Sequence, residues 1–85
     1  MPKITIYTRK FCGFCTRAVA LLDEKGVTYE NIDAGMSPIL KKEMVKRSGG
    51  AATFPQIFVD DYHIGGCDEL YALERIGKLD RALEL

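Results

Sequence analysis

The sequence predicts an α/β domain, a four-stranded mixed sheet flanked by helices, in the order β-α-β-α-β-β-α with a short terminal helix. Three observations carry that expectation. Strand-like and helix-like segments alternate through the first half of the chain. Two β-rich stretches then follow one another across Asp60 and Asp61, and from Cys67 onward helical spacing returns.

In "KITIY", apolar Ile4 and Ile6 alternate with Thr5 and Tyr7, the two-residue period of a strand. From the next segment to Gly26, Cys15, Ala18, Val19 and Leu22 recur at helical spacing, and Gly26 after Lys25 is a helix stop. "VTYENID" is short and β-rich. "MSPILKKEMVKRSGG" opens with Ser37 as N-cap and Pro38 at the first helical position, and closes on Gly49-Gly50. Met44 and Val45, with Ile39 or Leu40, make its apolar face, and Met36 and Met44 read as core or groove filler. "QIFVD" is a nearly continuous apolar run of the buried-strand kind, with "DYHIGG" as its hairpin partner. The last segment places Leu70, Leu73 and Ile76 on one stripe, broken by Gly77 before a short helix. The first two strands should be parallel through a right-handed crossover, and the last two antiparallel. This is the thioredoxin-like arrangement, expected as a single domain over residues 1–85.

Composition excludes several functions. Twelve basic residues balance twelve acidic ones, and the one basic run, "KKEMVKR", is interrupted by glutamate. Neither nucleic acid nor an anionic membrane is therefore an expected partner. No stretch approaches the ~20 apolar residues of a membrane span. The N-terminus reads straight into a strand, and three cysteines are an odd count for a disulfide scaffold. The expectation is the cytoplasm or an equivalent reducing compartment.

The chemistry concentrates in "TRKFCGFCTRA". Cys12 stands where a strand gives way to a helix, so free N–H groups and the positive end of the helix dipole favour its thiolate. Arg9 and Lys10 add positive charge. Cys15, one turn on and on the same face, is placed to attack a mixed disulfide formed at Cys12. Cys12 is the candidate nucleophile and Cys15 the more buried, less acidic resolving thiol. A structural zinc site would need four ligands, and only Cys67 and His63 remain to complete one. His63 otherwise reads as a solvent-facing strand residue.

Together "YTRKFCGFC", "TFPQIF" and "GGCDEL" resemble the glutaredoxins in order and separation, along essentially the whole chain. The final "HIGGCDELYALERIGKLD" is similar to the small bacterial dithiol members. The resemblance implies a glutathione-disulfide oxidoreductase that reduces protein disulfides and protein–glutathione mixed disulfides. Glutathione would be reductant and co-substrate, with no tightly bound cofactor. Clients would be disulfide-bearing or glutathionylated proteins, ribonucleotide reductase among the candidates, and the chain a monomer unless a cluster bridges two copies.

The resemblance also implies where glutathione sits. Pro55 is expected to be cis, turning the Phe54 backbone toward Cys12 to pair with the ligand's cysteine; a trans proline ending the loop is the alternative. Thr53 and Phe14 would line the same groove. Gly66, Cys67 and Asp68 would receive the γ-glutamyl end on free helix N–H groups, with Asp68 toward its ammonium or acting as helix N-cap. Cys67 would contribute its N–H, its thiol being idle or oxidation-sensitive. Arg9, and more weakly Lys41, would meet the glycyl carboxylate. Two departures stand out: Gly13 and Phe14 replace the proline and tyrosine common between such cysteines, and "GGAAT" lacks a basic residue before the proline motif. "CGF" also opens the active site of monothiol members that share a [2Fe–2S] cluster through one cysteine and glutathione. A cluster held at Cys12 is thus the alternative, and a redoxin fed by thioredoxin reductase a third reading.

Overall fold

The computed structural model describes residues 2–85. It contains β1 (Ile4–Thr8), α1 (Gly13–Lys25), β2 (Tyr29–Asp33), α2 (Pro38–Arg47), β3 (Gln56–Val59), β4 (Tyr62–Gly65), α3 (Cys67–Arg75) and α4 (Leu79–Ala82). The sheet runs β2-β1-β3-β4. β1 lies parallel to β2, with Ile6 opposite Asn31, and antiparallel to β3, with Ile6 opposite Ile57. β3 and β4 form the expected antiparallel hairpin, with an irregularity between Ile57 and Phe58.

Every residue of β1 is buried, so its alternation does not sort core from water. It sorts two cores, because helices cover both faces of the sheet. Ile4 and Ile6 pack with Ile57, Val59, Leu22 and Leu70 on one side. Tyr7 packs with Ala34, Met44 and Phe58 on the other. The buried Tyr7 hydroxyl donates to Glu43 (2.7 Å) and accepts from Arg47 (2.9 Å), so α2 satisfies the one polar atom this second core must hold.

The helix signals act as expected at most ends. Gly26 closes α1 at φ 72, and the Ser37 hydroxyl accepts the Leu40 N–H at 3.2 Å. Three expectations need correction, and the choice left open between Ile39 and Leu40 is settled. In α1, Leu21 is buried while Val19 only packs at the core's edge. In α2, Leu40 and not Ile39 faces the core; Ile39 is 81% exposed. Met36 fills neither core nor groove, being 89% exposed in the loop before α2. Ile76 leaves the Leu70 stripe because α3 ends at Arg75, and beyond the last turn helical spacing no longer sets direction. Leu79 and Leu83, past the Gly77 break, are fully buried instead, and Lys25 at the end of α1 pairs with Glu74 and Asp80, each at 2.7 Å. Among the described residues no helix is long and apolar enough to cross a membrane.

Candidate active site

The loop leaving β1 delivers Cys12 to the N-cap of α1, with extended backbone at φ −120, ψ 103. Its Sγ accepts the Cys15 N–H at 3.2 Å, taking the place that a serine or aspartate oxygen fills in most helix caps. An N–H held against sulfur from the positive end of a helix is the setting in which negative charge on that sulfur is best tolerated. The Phe54 carbonyl lies 3.9 Å from the same Sγ. Cys15 is buried one turn further on, and its pKa is pushed up to about 12. Burial is the main cause, its contact with Cys12 adds to it, and a backbone hydrogen bond from Arg9 opposes it. Cys15 therefore keeps its proton at neutral pH. All three cysteines are free.

Beside this pair runs a groove of about 660 Å³. Phe14 enters it from α1, Thr53, Phe54 and Pro55 from the loop before β3, and Gly66, Cys67 and Asp68 from the start of α3. Arg9 and Lys41 line it as well. Every groove residue expected from three separate motifs thus meets at one place. The Phe54–Pro55 peptide is cis. Cys67 is buried at the first position of α3, and burial pushes its thiol pKa up.

The family model for Glutaredoxin matches residues 4–64. Glutaredoxin 3 of Escherichia coli (strain K12) is 48% identical over 84 residues, covering 99% of this chain and 100% of that protein. The chain belongs to the glutaredoxin family. The solution structure of a glutaredoxin from Brucella melitensis matches at TM-score 0.85 and 54% identity, over 99% of this chain and 90% of that one. A crystal structure of a buckwheat glutaredoxin–glutathione complex matches at TM-score 0.84 and 28% identity, over 96% and 76% respectively. The fold is thioredoxin-like and the activity is that of a thiol–disulfide oxidoreductase.

Three readings of this glutaredoxin's side chains change on inspection. Asp68 is not the N-cap of α3; Gly66 is, and Asp68 stands exposed in the first turn. The Gly66 N–H is already taken by the Glu69 carboxylate at 2.7 Å, so the N–H groups left for a ligand are those of Cys67, Asp68 and Glu69. The Arg9 guanidinium turns back onto its own loop, donating to the Lys10 and Phe11 carbonyls at 3.2 and 3.4 Å. His63 does not face solvent freely: its Nε2 lies 2.6 Å from Gln56 Oε1 and its ring stacks on Phe58 at 4.9 Å.

Four groove residues escaped the sequence reading: Gly35, Ala52, Gln56 and Glu69. Gln56 and Glu69 carried signals, a polar residue opening an apolar strand and an acid three residues after Gly66. Gly35 carried none. A Cβ there would fall 2.5 Å from Arg9 Cβ, so only glycine lets the β2–α2 loop lie against the residue that leads to Cys12. Among the described residues, no three His, Cys, Asp or Glu side chains converge on a common point. Cys12, Cys15, Cys67 and His63 thus do not come together as four ligands.

Proposed function

We propose that this glutaredoxin uses glutathione to reduce protein disulfides and protein–glutathione mixed disulfides, with Cys12 as nucleophile and Cys15 as resolving thiol. The observation that carries the reading is the convergence of the three motifs on one groove flanking a cysteine that caps a helix. That a related glutaredoxin binds glutathione supports the ligand.

In this reading the Phe54 backbone pairs with the cysteinyl part of glutathione as a short strand. Its N–H has no protein partner among the described residues. The Cys67 and Asp68 N–H groups at the start of α3 receive the γ-glutamyl carboxylate, and the Asp68 carboxylate faces the neighbouring ammonium. Arg9 and Lys41 meet the glycyl carboxylate, Arg9 after releasing its loop carbonyls. Phe14 and Thr53 wall the groove.

The Cys12 thiolate attacks the glutathionyl sulfur of a client mixed disulfide. The client–sulfur bond breaks, and the client leaves as a thiolate that takes a proton. A second glutathione thiolate attacks the glutathionyl sulfur on Cys12, giving glutathione disulfide and restoring Cys12. With a protein disulfide, Cys12 forms the mixed disulfide and Cys15 displaces the reduced client. The resulting Cys12–Cys15 disulfide is then reduced by two glutathiones. The high proton affinity of Cys15 makes its attack the slower branch for glutathionylated substrates. The reading implies a reducing compartment such as the cytoplasm, where clients such as ribonucleotide reductase would be met.

Turnover of a glutathionylated peptide, coupled to glutathione reductase, tests the assignment. Cys12→Ser should lose activity by about 10³-fold or more, whereas Cys15→Ser should stay within a few fold of the parent. An active Cys12→Ser with an inactive Cys15→Ser would reverse the roles. A second reading, a glutathione-ligated [2Fe–2S] carrier, draws on Gly13, beside Cys12, where a Cβ would meet nothing within 4 Å. A chain that stays colourless and monomeric after anaerobic reconstitution with glutathione would remove it.

A further inference from the structure

Gln56 is a polar side chain in the first position of a strand whose four residues are all buried, and it is itself 3% exposed. Its Nε2 lies 3.0 Å from the Thr53 carbonyl oxygen and 3.2 Å from Thr53 Oγ1. Its Oε1 lies 2.6 Å from His63 Nε2.

These contacts leave one consistent assignment of protons. A backbone carbonyl has no hydrogen to give, so the Gln56 atom facing Thr53 must be the amide nitrogen. The atom facing His63 is then the amide oxygen, and His63 Nε2 must carry a hydrogen. Neutral His63 is held as the Nε2–H tautomer, and the imidazolium donates from the same atom, so the bond survives either charge state. Burial lowers the pKa of His63, with the Glu69 carboxylate opposing, which favours the neutral ring. The two amide hydrogens of Gln56 are used on the carbonyl and hydroxyl of one residue, Thr53.

Thr53 is exposed in a loop that no strand pairs with, immediately before Phe54 and Pro55. Nothing else in the hydrogen-bond network holds its carbonyl among the described residues. His63 in turn is fixed by its stack on Phe58, its partner across the β3–β4 ladder. We infer that Gln56, backed by His63, is a positioning residue that sets the Thr53–Phe54 wall of the groove and thereby its affinity for the glutathionyl part of the substrate.

This inference rests on the glutathione reading above. The relay runs from the hairpin to a groove wall, Thr53–Phe54, that lies outside the strands and so lacks ladder bonds of its own. None of its own hydrogen bonds reaches Cys12 or Cys15; the Phe54 carbonyl, 3.9 Å from Cys12 Sγ, is the wall's one contact with the thiol, so the relay acts first on substrate binding.

The experiment measures steady-state turnover of one peptide carried as two mixed disulfides, with glutathione and with cysteamine, alongside alkylation of Cys12 by iodoacetamide. Gln56→Met keeps the length of the side chain and removes its polar atoms. It should raise KM for the glutathionylated peptide by about fivefold, the worth of roughly one hydrogen bond, with kcat and the alkylation rate within about twofold. His63→Leu should do the same, and His63→Gln, which still offers a donor, should recover most of the loss. The ¹⁵N spectrum of the parent should show His63 Nε2 protonated and Nδ1 bare in the neutral ring. An unchanged KM in Gln56→Met, or a His63→Gln as impaired as His63→Leu, overturns the inference. So does a KM rise accompanied by an equal loss of alkylation rate, which marks general loosening. If Gln56→Met does not fold, the two His63 variants and the tautomer carry the test. A parent with no preference for the glutathionylated peptide over the cysteaminyl one overturns the glutathione reading itself, and this inference with it.

Discussion

Phe11 sits at φ 56, the left-handed region, with its ring 100% exposed. A bulky side chain there costs about 1–2 kcal/mol relative to the ordinary helical region, and an exposed ring offers no packing in return. The Arg9 guanidinium braces this turn by donating to two carbonyls of the loop, those of Lys10 and Phe11. Phe11→Asn, a residue that tolerates left-handed backbone, is expected to leave stability unchanged or raise it by up to about 1 kcal/mol in urea unfolding. A loss of comparable size would mean that the ring packs on something. Cys15 shows the same dependence on surroundings in the other direction. It shares a helix end with Cys12, yet burial carries its pKa to about 12. The sequence placed Cys15 one turn into the helix; burial, with its contact to Cys12, is what raises its pKa.

At the scale of elements, the beginnings of α1 and α3 build the site, and neither uses a conventional cap. α1 is capped by the sulfur of Cys12, and Gly13 follows at the first helical position with no neighbour within 4 Å of a Cβ. Cys12 already has the extended backbone that a residue before proline prefers. Packing therefore supplies no reason for glycine here. Gly13→Pro should fit the first turn and stabilise the fold by about 0.4–1 kcal/mol, read from urea midpoints; a decrease would show that the Gly13 N–H is in use. α3 differs. At Gly65, φ is 127 and a Cβ would fall 2.8 Å from Glu69, so the backbone there admits only glycine. That turn lets Glu69 reach back to the Gly66 N–H, which fixes the angle at which α3 presents its next two N–H groups to the groove. "GGCDEL" announced a helix start; which residue capped it depended on where Glu69 folded back.

Across the whole molecule, proton binding sets the pH range of stability. Cys15 and Cys67 are raised from 9.0, Tyr7 and Tyr29 from 10.0 and Lys25 from 10.5, so each holds its proton more tightly folded than unfolded. Burial is the leading cause for the cysteines and Tyr7, and carboxylate partners for Tyr29 and Lys25. Above about pH 9 the unfolded chain loses protons first, and stability falls from there toward the folded value of Cys15, about 12. His63 has the opposite sign: lowered from 6.5, it lets the unfolded chain bind a proton first as pH drops through that value, so stability falls on the acid side. Urea midpoints should be highest between pH 6.5 and 9, and Cys15→Ser should flatten part of the alkaline decline. An equally steep decline in Cys15→Ser would assign it to the tyrosines, Cys67 and Lys25.

The order of strands and helices, the helix stops at Gly26 and Gly77, the Ser37 cap and the placing of Cys12 at a helix start were all determined by the sequence alone. Each depends on residues within a turn or two of one another, where backbone sterics and hydrogen bonding act without the rest of the chain. The strand order β2-β1-β3-β4, the division of β1 between two cores, the exposure of Met36, Ile39 and Ile76, and the roles of Gly35 and Gln56 were decided only by tertiary structure. Gly35 matters because Arg9 lies against it, and Tyr7 can be buried because Arg47 and Glu43 reach it from 40 and 36 residues away. Such contacts join segments whose separation no local pattern encodes, and the groove beside Cys12 is made almost wholly of them.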